Sequence, residues 1–238
     1  MWRNDEPCFE VGEAPVPSPL DPRRLTMHSR IRDWVESVRT LDRLGVRHLD
    51  VLGHLALVAE RRDDSTHEHT RRVAIISYRL ARQLKMTARE AAMIGRAAPF
   101  HDIGKLCVSD SILCKPGALN AAEFAQVRRH TAVGAKILAD GDSELLELAG
   151  EIAASHHEHW DGSGYPEGLG EEAIPLSGRI VAVADVFDAL THSRSYKPAW
   201  PLSAAIAKID SLCGTHFDPR VVAAFKRLQP GQPIRAGA

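Results

Sequence analysis

Short motifs carrying histidine and aspartate are spread over about 120 residues of this chain, and no single helix or loop can gather them. They are His69, the pair His101-Asp102, His130, the doublet His156-His157 and Asp185. A helix presents ligands on one face only, so a metal cage built from these residues requires several helices to converge. Imidazole and carboxylate are ligand types suited to iron, manganese or zinc. The arrangement therefore points to a helical bundle organised around metal.

The rest of the pattern agrees with an all-α fold. Residues 1–26 hold Pro7, Pro15, Pro17, Pro19 and Pro22 with few large apolar groups, which disfavours helix and marks a disordered tail. From Met27 the periodicity is helical: Ile31, Trp34, Val35, Val38 and Leu41 share one face, and Leu49, Leu52, Leu55, Ala56 and Ala59 share another after Gly45. Residues 27–54 are expected to form a short N-terminal helical extension, 55–228 the main domain, and 229–238 a Pro- and Gly-rich tail. Val73, Ile76, Leu80 and Leu84 mark a further helix. Thr87 to Glu90 reads as a capping box, and Asn120 to Glu123 as a related start of one helix through Phe124, Val127, His130 and Ile137. Residues 161–176 read as a loop. The apolar run Ile180–Leu190 suits strand or buried helix, and its alanines favour helix. Asp218-Pro219 predicts a helix start.

Bulk properties exclude several function classes. With 30 basic and 31 acidic residues the net charge is −1, which gives no global field for duplex nucleic acid or acidic lipid. Cys8, Cys107, Cys114 and Cys213 form no CxxC pair, so zinc-ribbon and redox readings are weak and reduced thiols are expected. No run of 18 apolar residues exists and the first residues lack an apolar signal core, so a cytoplasmic protein without a membrane span is expected.

Each motif alone has a bland explanation. A lone histidine such as His130 is ordinarily a surface or hydrogen-bonded core residue, and Lys105 alone would be a solvated lysine. Asp185 is harder to dismiss, because an ionised carboxylate inside Ala182–Phe187 needs a cation or several donors. Adjacent His101-Asp102 is useful chemically: the imidazole can hold one metal while the two carboxylate oxygens reach a second. A metal pair lowers the pKa of a shared water and clamps a phosphoryl oxygen, which is the chemistry of phosphoester hydrolysis.

Taken together, the motifs resemble the HD-GYP family, a branch of the HD phosphohydrolase superfamily, over roughly residues 55–227. His101-Asp102-Ile103-Gly104-Lys105 resembles the HDxGK signature, and His156-His157-Glu158 through Tyr165-Pro166 resembles HHExxDGxGYP. Asp110–Leu113, Lys115-Pro116-Gly117, Ile174-Pro175-Leu176, Asp185–Leu190, Arg194–Lys197 and Gly214–Pro219 follow the same pattern. The resemblance implies an HD-domain helical bundle with a GYP-type C-terminal extension. It implies a phosphodiesterase that opens cyclic di-GMP, or a related cyclic dinucleotide, to pGpG and further to GMP through a metal-bridging hydroxide. One divalent metal would take His69, His101, Asp102 and Asp185, and a second His130, His156 and His157, with Asp102 bridging. Iron or manganese is implied. Lys105 would face the reacting phosphate and protonate the leaving oxygen, Arg194 and Lys197 would bind phosphate, and Tyr165 would face guanine or phosphate.

The chain departs from the family pattern before the first histidine. Ser65 stands where many members have a glutamate that helps to hold a third metal, and His67 replaces a glycine. A hydroxyl is a poor ligand for a hard cation, Asp64 is one residue out of register, and His67 would point away from His69 on a helix. Two metals per chain are therefore expected. The alternatives are hydrolysis of another phosphoester, a non-catalytic nucleotide-binding role, which an intact ligand set argues against, and homodimer formation through the helices before residue 60. His159 and His192 are expected on exposed loops, and His28, His48, His54 and His216 form no constellation.

Overall fold

The computed structural model describes residues 48–63, 68–139, 143–193 and 198–228. The expectations for residues 1–47 and 229–238, and for Asp64, Ser65, His67, Arg194 and Lys197, lie outside the described residues. Those described form a helical bundle whose only β pairing is the isolated bridges Asp161–Gly170 and Cys213–Phe217. The helices, in chain order, are α1 (His48–Asp63), α2 (Glu68–Gln83), α3 (Ala88–Ala97), α4 (Asp110–Leu113), α5 (Ala121–Arg128), α6 (His130–Leu138), α7 (Glu144–Ser155), α8 (Leu176–Thr191), α9 (Leu202–Ser211) and α10 (Pro219–Arg227). No helix among them is long and apolar enough to cross a membrane.

The apolar run at 180–190 is helix, and its environment explains its composition. α8 buries residues all round its circumference, from Ser177 through Val181 and Ala184 to Leu190, because α2, α7, α9 and α10 surround it. Small residues let the neighbours approach. Gly178 packs so tightly on Ser155 of α7 that a β-carbon there would collide with the serine side chain. Charge is admitted only where it is paired: Arg179 on α8 donates to Asp218 at 2.7 Å, and Asp218 also caps α10 through Arg220 N at 2.7 Å.

Both capping boxes form. Thr87 accepts from Glu90 N, Asn120 accepts from Glu123 N, and each glutamate returns a bond to the cap amide. α1 spans the expected boundary at residue 54, with Leu52 and Ala56 in the main core.

The single helix expected from Asn120 to Ile137 is in fact two. α5 ends at Arg128 and α6 begins at His130. Side chains break the ladder: His130 Nδ1 takes the Val127 carbonyl at 2.6 Å, and Thr131 Oγ1 takes that of Arg128 at 3.0 Å. Apolar periodicity carries no information about such local competition for carbonyls. The break turns α5 away from the core, and α5 buries none of its residues.

Candidate metal centre

His69 comes from the first turn of α2, His101-Asp102 from the tight turns after α3, His130 from the start of α6, His156-His157 from the end of α7, and Asp185 from the middle of α8. The bundle brings all seven together in two adjoining groups. His69, His101 and Asp185 form one, and Asp102, His130, His156 and His157 the other, with the potential ligand atoms of each group within 4.8 Å of one another.

Asp102 joins the groups. Its Oδ1 lies 3.3 Å from His130 Nε2 and 3.8 Å from His156 Nε2, while its Oδ2 lies 3.3 Å from His101 Nε2. Across the first group, Asp185 Oδ1 is 3.4 Å from His69 Nε2 and 3.9 Å from His101 Nε2. Lys105, one 3₁₀ turn beyond Asp102, places Nζ 2.9 Å from Asp102 Oδ2.

The orientation of the rings decides what they can hold. His101 Nδ1 bonds the Ala98 carbonyl at 2.9 Å, His130 Nδ1 that of Val127, and His156 Nδ1 those of Ile152 and Ala153, both at 3.1 Å. A carbonyl only accepts, so each Nδ1 carries the proton and each Nε2 presents a lone pair to the centre. His69 Nδ1 is held by Asp188 Oδ2 at 2.7 Å, a carboxylate–histidine pair of the kind that orients metal ligands. His157 is held by packing, its ring stacked on Tyr165 at 4.7 Å.

Electrostatics favour the neutral ring in His130, His156 and His157 and oppose it in His101. Burial opposes protonation of His101, but the charges of Asp102 and Asp185 reverse that and raise its pKa to about 9, so a metal at its Nε2 would displace a proton that the carboxylates otherwise hold there. Burial lowers His156 to about 3, helped by the charge of His101, and lowers His130 and His157 as well. Burial would raise Asp102, but Lys105 and His101 hold it well below the usual carboxylate range. His101 Nε2 and Asp102 Oδ1 are buried and make no hydrogen bond. Buried orphan atoms of this kind, beside the neutral imidazoles of His130, His156 and His157 and two carboxylates, call for a cation. The donor set of nitrogen and oxygen fits divalent transition metals.

A family model described as the HD domain matches residues 55–221. The chain belongs to the HD-domain family. The HD-domain chain is 48% identical over 180 residues to a cyclic di-GMP phosphodiesterase of Thermotoga maritima, covering 76% of this chain and 49% of the relative. It is 39% identical to the cyclic di-GMP phosphodiesterase response regulator RpfG of Xanthomonas campestris, covering 94% and 65% respectively. Against a 3′3′-cGAMP-specific phosphodiesterase of Vibrio cholerae the identity is 43%, covering 92% and 42%. The chain thus spans about half the length of such relatives. Among solved structures, a cyclic GMP-AMP-specific phosphodiesterase of V. cholerae superposes with a TM-score of 0.58 at 21% identity, over 76% of this chain and 49% of that one. An HD-GYP protein of Bdellovibrio bacteriovorus gives 0.55 at 19%, over 86% and 68%. Both share the helical fold.

Several residues around the site were not singled out by sequence. Asp188, 1% exposed, accepts from His69 and from Arg72, whose Nη2 lies at 3.0 Å, and pairs with His192 at 3.0 Å. The signal was present, since Asp188 is a second carboxylate in the same apolar run as Asp185. Asp188→Asn keeps the shape and removes the charge. Metal retention through dialysis against a chelator is expected to fall about 10–100-fold, the usual loss for a partner behind a ligand; unchanged retention would show that His69 does not depend on it. Glu158 anchors the loop after the doublet, accepting from the amides of Glu167 at 2.8 Å and Leu169 at 3.0 Å. Gly162 and Gly168 turn that loop at φ values of 77° and 68°, a region disfavoured for residues with a β-carbon. Arg62 on α1 bonds the Lys105 carbonyl at 2.9 Å, that of Val108 and the Asp110 carboxylate, tying the lysine turn to α1.

Two histidine expectations change. His159 is half-buried and stacks on His216 at 3.8 Å, so these two do form a pair. His192 ends α8 against Asp188 and is half-buried. Residue spacing gave no sign of the His159–His216 stack, which joins distant parts of the chain, whereas the His192–Asp188 pair is a local i, i+4 contact that spacing could have shown.

Proposed function

We propose that this chain is a metal-dependent phosphodiesterase that opens cyclic di-GMP to linear pGpG, with further cleavage to GMP. The reading rests above all on Asp102, whose two oxygens face different histidine groups while Lys105 stands beside it. Two ions, iron or manganese, would be held by His69, His101 and Asp185 on one side and His130, His156 and His157 on the other, with Asp102 shared. When bound, such a pair supplies an activated water near neutral pH and stabilises charge on the phosphoryl oxygens.

The chain's own residues do the rest. The backbone-anchored imidazoles keep their lone pairs fixed, so no reorganisation is needed as charge develops. Lys105 has no acceptor atoms and three donors, which suits it to a phosphate oxygen and to giving a proton to the departing 3′-oxygen. Tyr165, stacked on His157, walls the site, and burial together with the charge of Asp102 pushes its hydroxyl pKa up, so it stays a neutral donor. Arg194 and Lys197 are assigned to substrate phosphate.

The activity of two cyclic di-GMP relatives supports this substrate, and the cGAMP-specific relative makes the hybrid dinucleotide the second reading. The test is incubation of anaerobically metal-loaded protein with cyclic di-GMP and with 3′3′-cGAMP, resolving products by chromatography. Cyclic di-GMP is expected to yield pGpG first. Turnover of cGAMP alone would move the assignment to the hybrid; turnover of neither would overturn it.

A further inference from the structure

α5 contributes nothing to the core, yet it is firmly built. Its capping box fixes one end, and Lys115 Nζ grips Glu123 at 2.7 and 2.9 Å. What the helix positions is Phe124 and Arg128, one turn apart on the same face. The Arg128 guanidinium lies 4.8 Å from the Phe124 ring centroid and 4.6 Å from that of Tyr165. The two rings meet edge to face at 6.4 Å, and Tyr165 stacks on His157. A continuous wall thus runs from the metal groups outward: His157, Tyr165, Arg128, Phe124. Its outer end is open, since Phe124 is 38% exposed and Arg128 is exposed. Among the described residues the Arg128 side chain has no carboxylate partner. An exposed phenylalanine and an arginine with no carboxylate partner among the described residues, fixed on a helix that packs no core, are not explained by stability.

We propose that Phe124 and Arg128 form the purine subsite of the substrate, with Arg128 selecting guanine over adenine. The inference rests on the proposed activity and names the part of the site that reads the base. With the scissile phosphate at the metal groups, the attached nucleoside extends along the wall. Phe124 offers a face or edge to the purine. Arg128 has only donors, and guanine presents two acceptors, O6 and N7, where adenine presents N7 beside an amino donor. The rings beneath hold the guanidinium plane by cation–π contact, which leaves its N–H fork free to point at the base.

The experiment compares wild type, Arg128→Ala, Arg128→Lys and Phe124→Ala on cyclic di-GMP, cyclic di-AMP and bis(p-nitrophenyl) phosphate, a diester with no base. Loss of a bidentate contact predicts that Arg128→Ala raises KM for cyclic di-GMP about tenfold or more and narrows the preference over cyclic di-AMP. Arg128→Lys is expected to restore little, because an ammonium cannot match the fork. Phe124→Ala should raise KM for both dinucleotides alike. Turnover of the base-free diester and bound metal should stay within twofold in all three. If Arg128→Ala lowers turnover of the base-free diester as much as that of cyclic di-GMP, the residue only supports the fold and the subsite is overturned. If wild type cleaves cyclic di-GMP and Arg128→Ala matches it in KM and base preference, the subsite fails while the proposed activity stands. If wild type cleaves only the base-free diester, the proposed activity fails and the subsite with it.

Discussion

Asp102→Asn is expected to abolish cyclic di-GMP turnover, by at least about a thousandfold or about 4 kcal/mol in transition-state stabilisation. The side chain keeps its shape but loses the charge that faces both histidine groups, and an amide nitrogen has no lone pair to offer a metal where Oδ1 or Oδ2 now lies 3.3 Å from an imidazole. Lys105 loses its ion-pair partner at 2.9 Å in the same change. The variant should still fold, because Asp102 supplies no apolar packing and the His101, His130 and His156 rings keep their backbone anchors. Metal content measured by mass spectrometry should fall below two ions per chain, with circular dichroism at 25 °C unchanged. Retention of full metal content with full turnover would mean that Asp102 bridges nothing.

Gly104→Ala is expected to act on the fold itself. A β-carbon at this position would collide with the His130 carbonyl and the Gly134 amide. Both are backbone atoms of α6, so no rotamer change can make room. The turn bearing Asp102 and Lys105 must separate from the helix bearing His130, and the two histidine groups move apart with it. The cost is about 3 kcal/mol or more, at the upper end for overpacking because the obstacle is backbone. For a domain of this size that corresponds to a fall in Tm of roughly 6–12 °C. A melt within about 2 °C of wild type would show that α6 yields easily and that the glycine is not required by this contact.

The same glycine shows what the sequence could and could not convey. Gly104 stood within a recognisable signature, but its reason lies in a helix 26 positions away and needs the packed structure to be seen. Helices with strong apolar stripes and side-chain caps, such as α3, were legible because their cause is local. The break at Arg129 was not, since it depends on the His130 and Thr131 side chains each taking a carbonyl of the preceding turn. The seven histidine and aspartate positions could be picked out by residue type and motif. Their grouping, with Asp102 between the two sets, came from the family resemblance and not from spacing, which does not encode convergence or the opposed directions of the two Asp102 oxygens. Asp188 fell between the two cases: its burial was foreseeable by the reasoning applied to Asp185, but its hold on His69, 119 positions away, was not.

The most direct test of a two-metal phosphodiesterase is an anaerobic titration of metal-free protein with Mn²⁺, reading cyclic di-GMP cleavage at each addition. Turnover should rise and level off at two equivalents per chain, with pGpG as first product. A plateau at one or three equivalents, or no cleavage at any, would contradict the account.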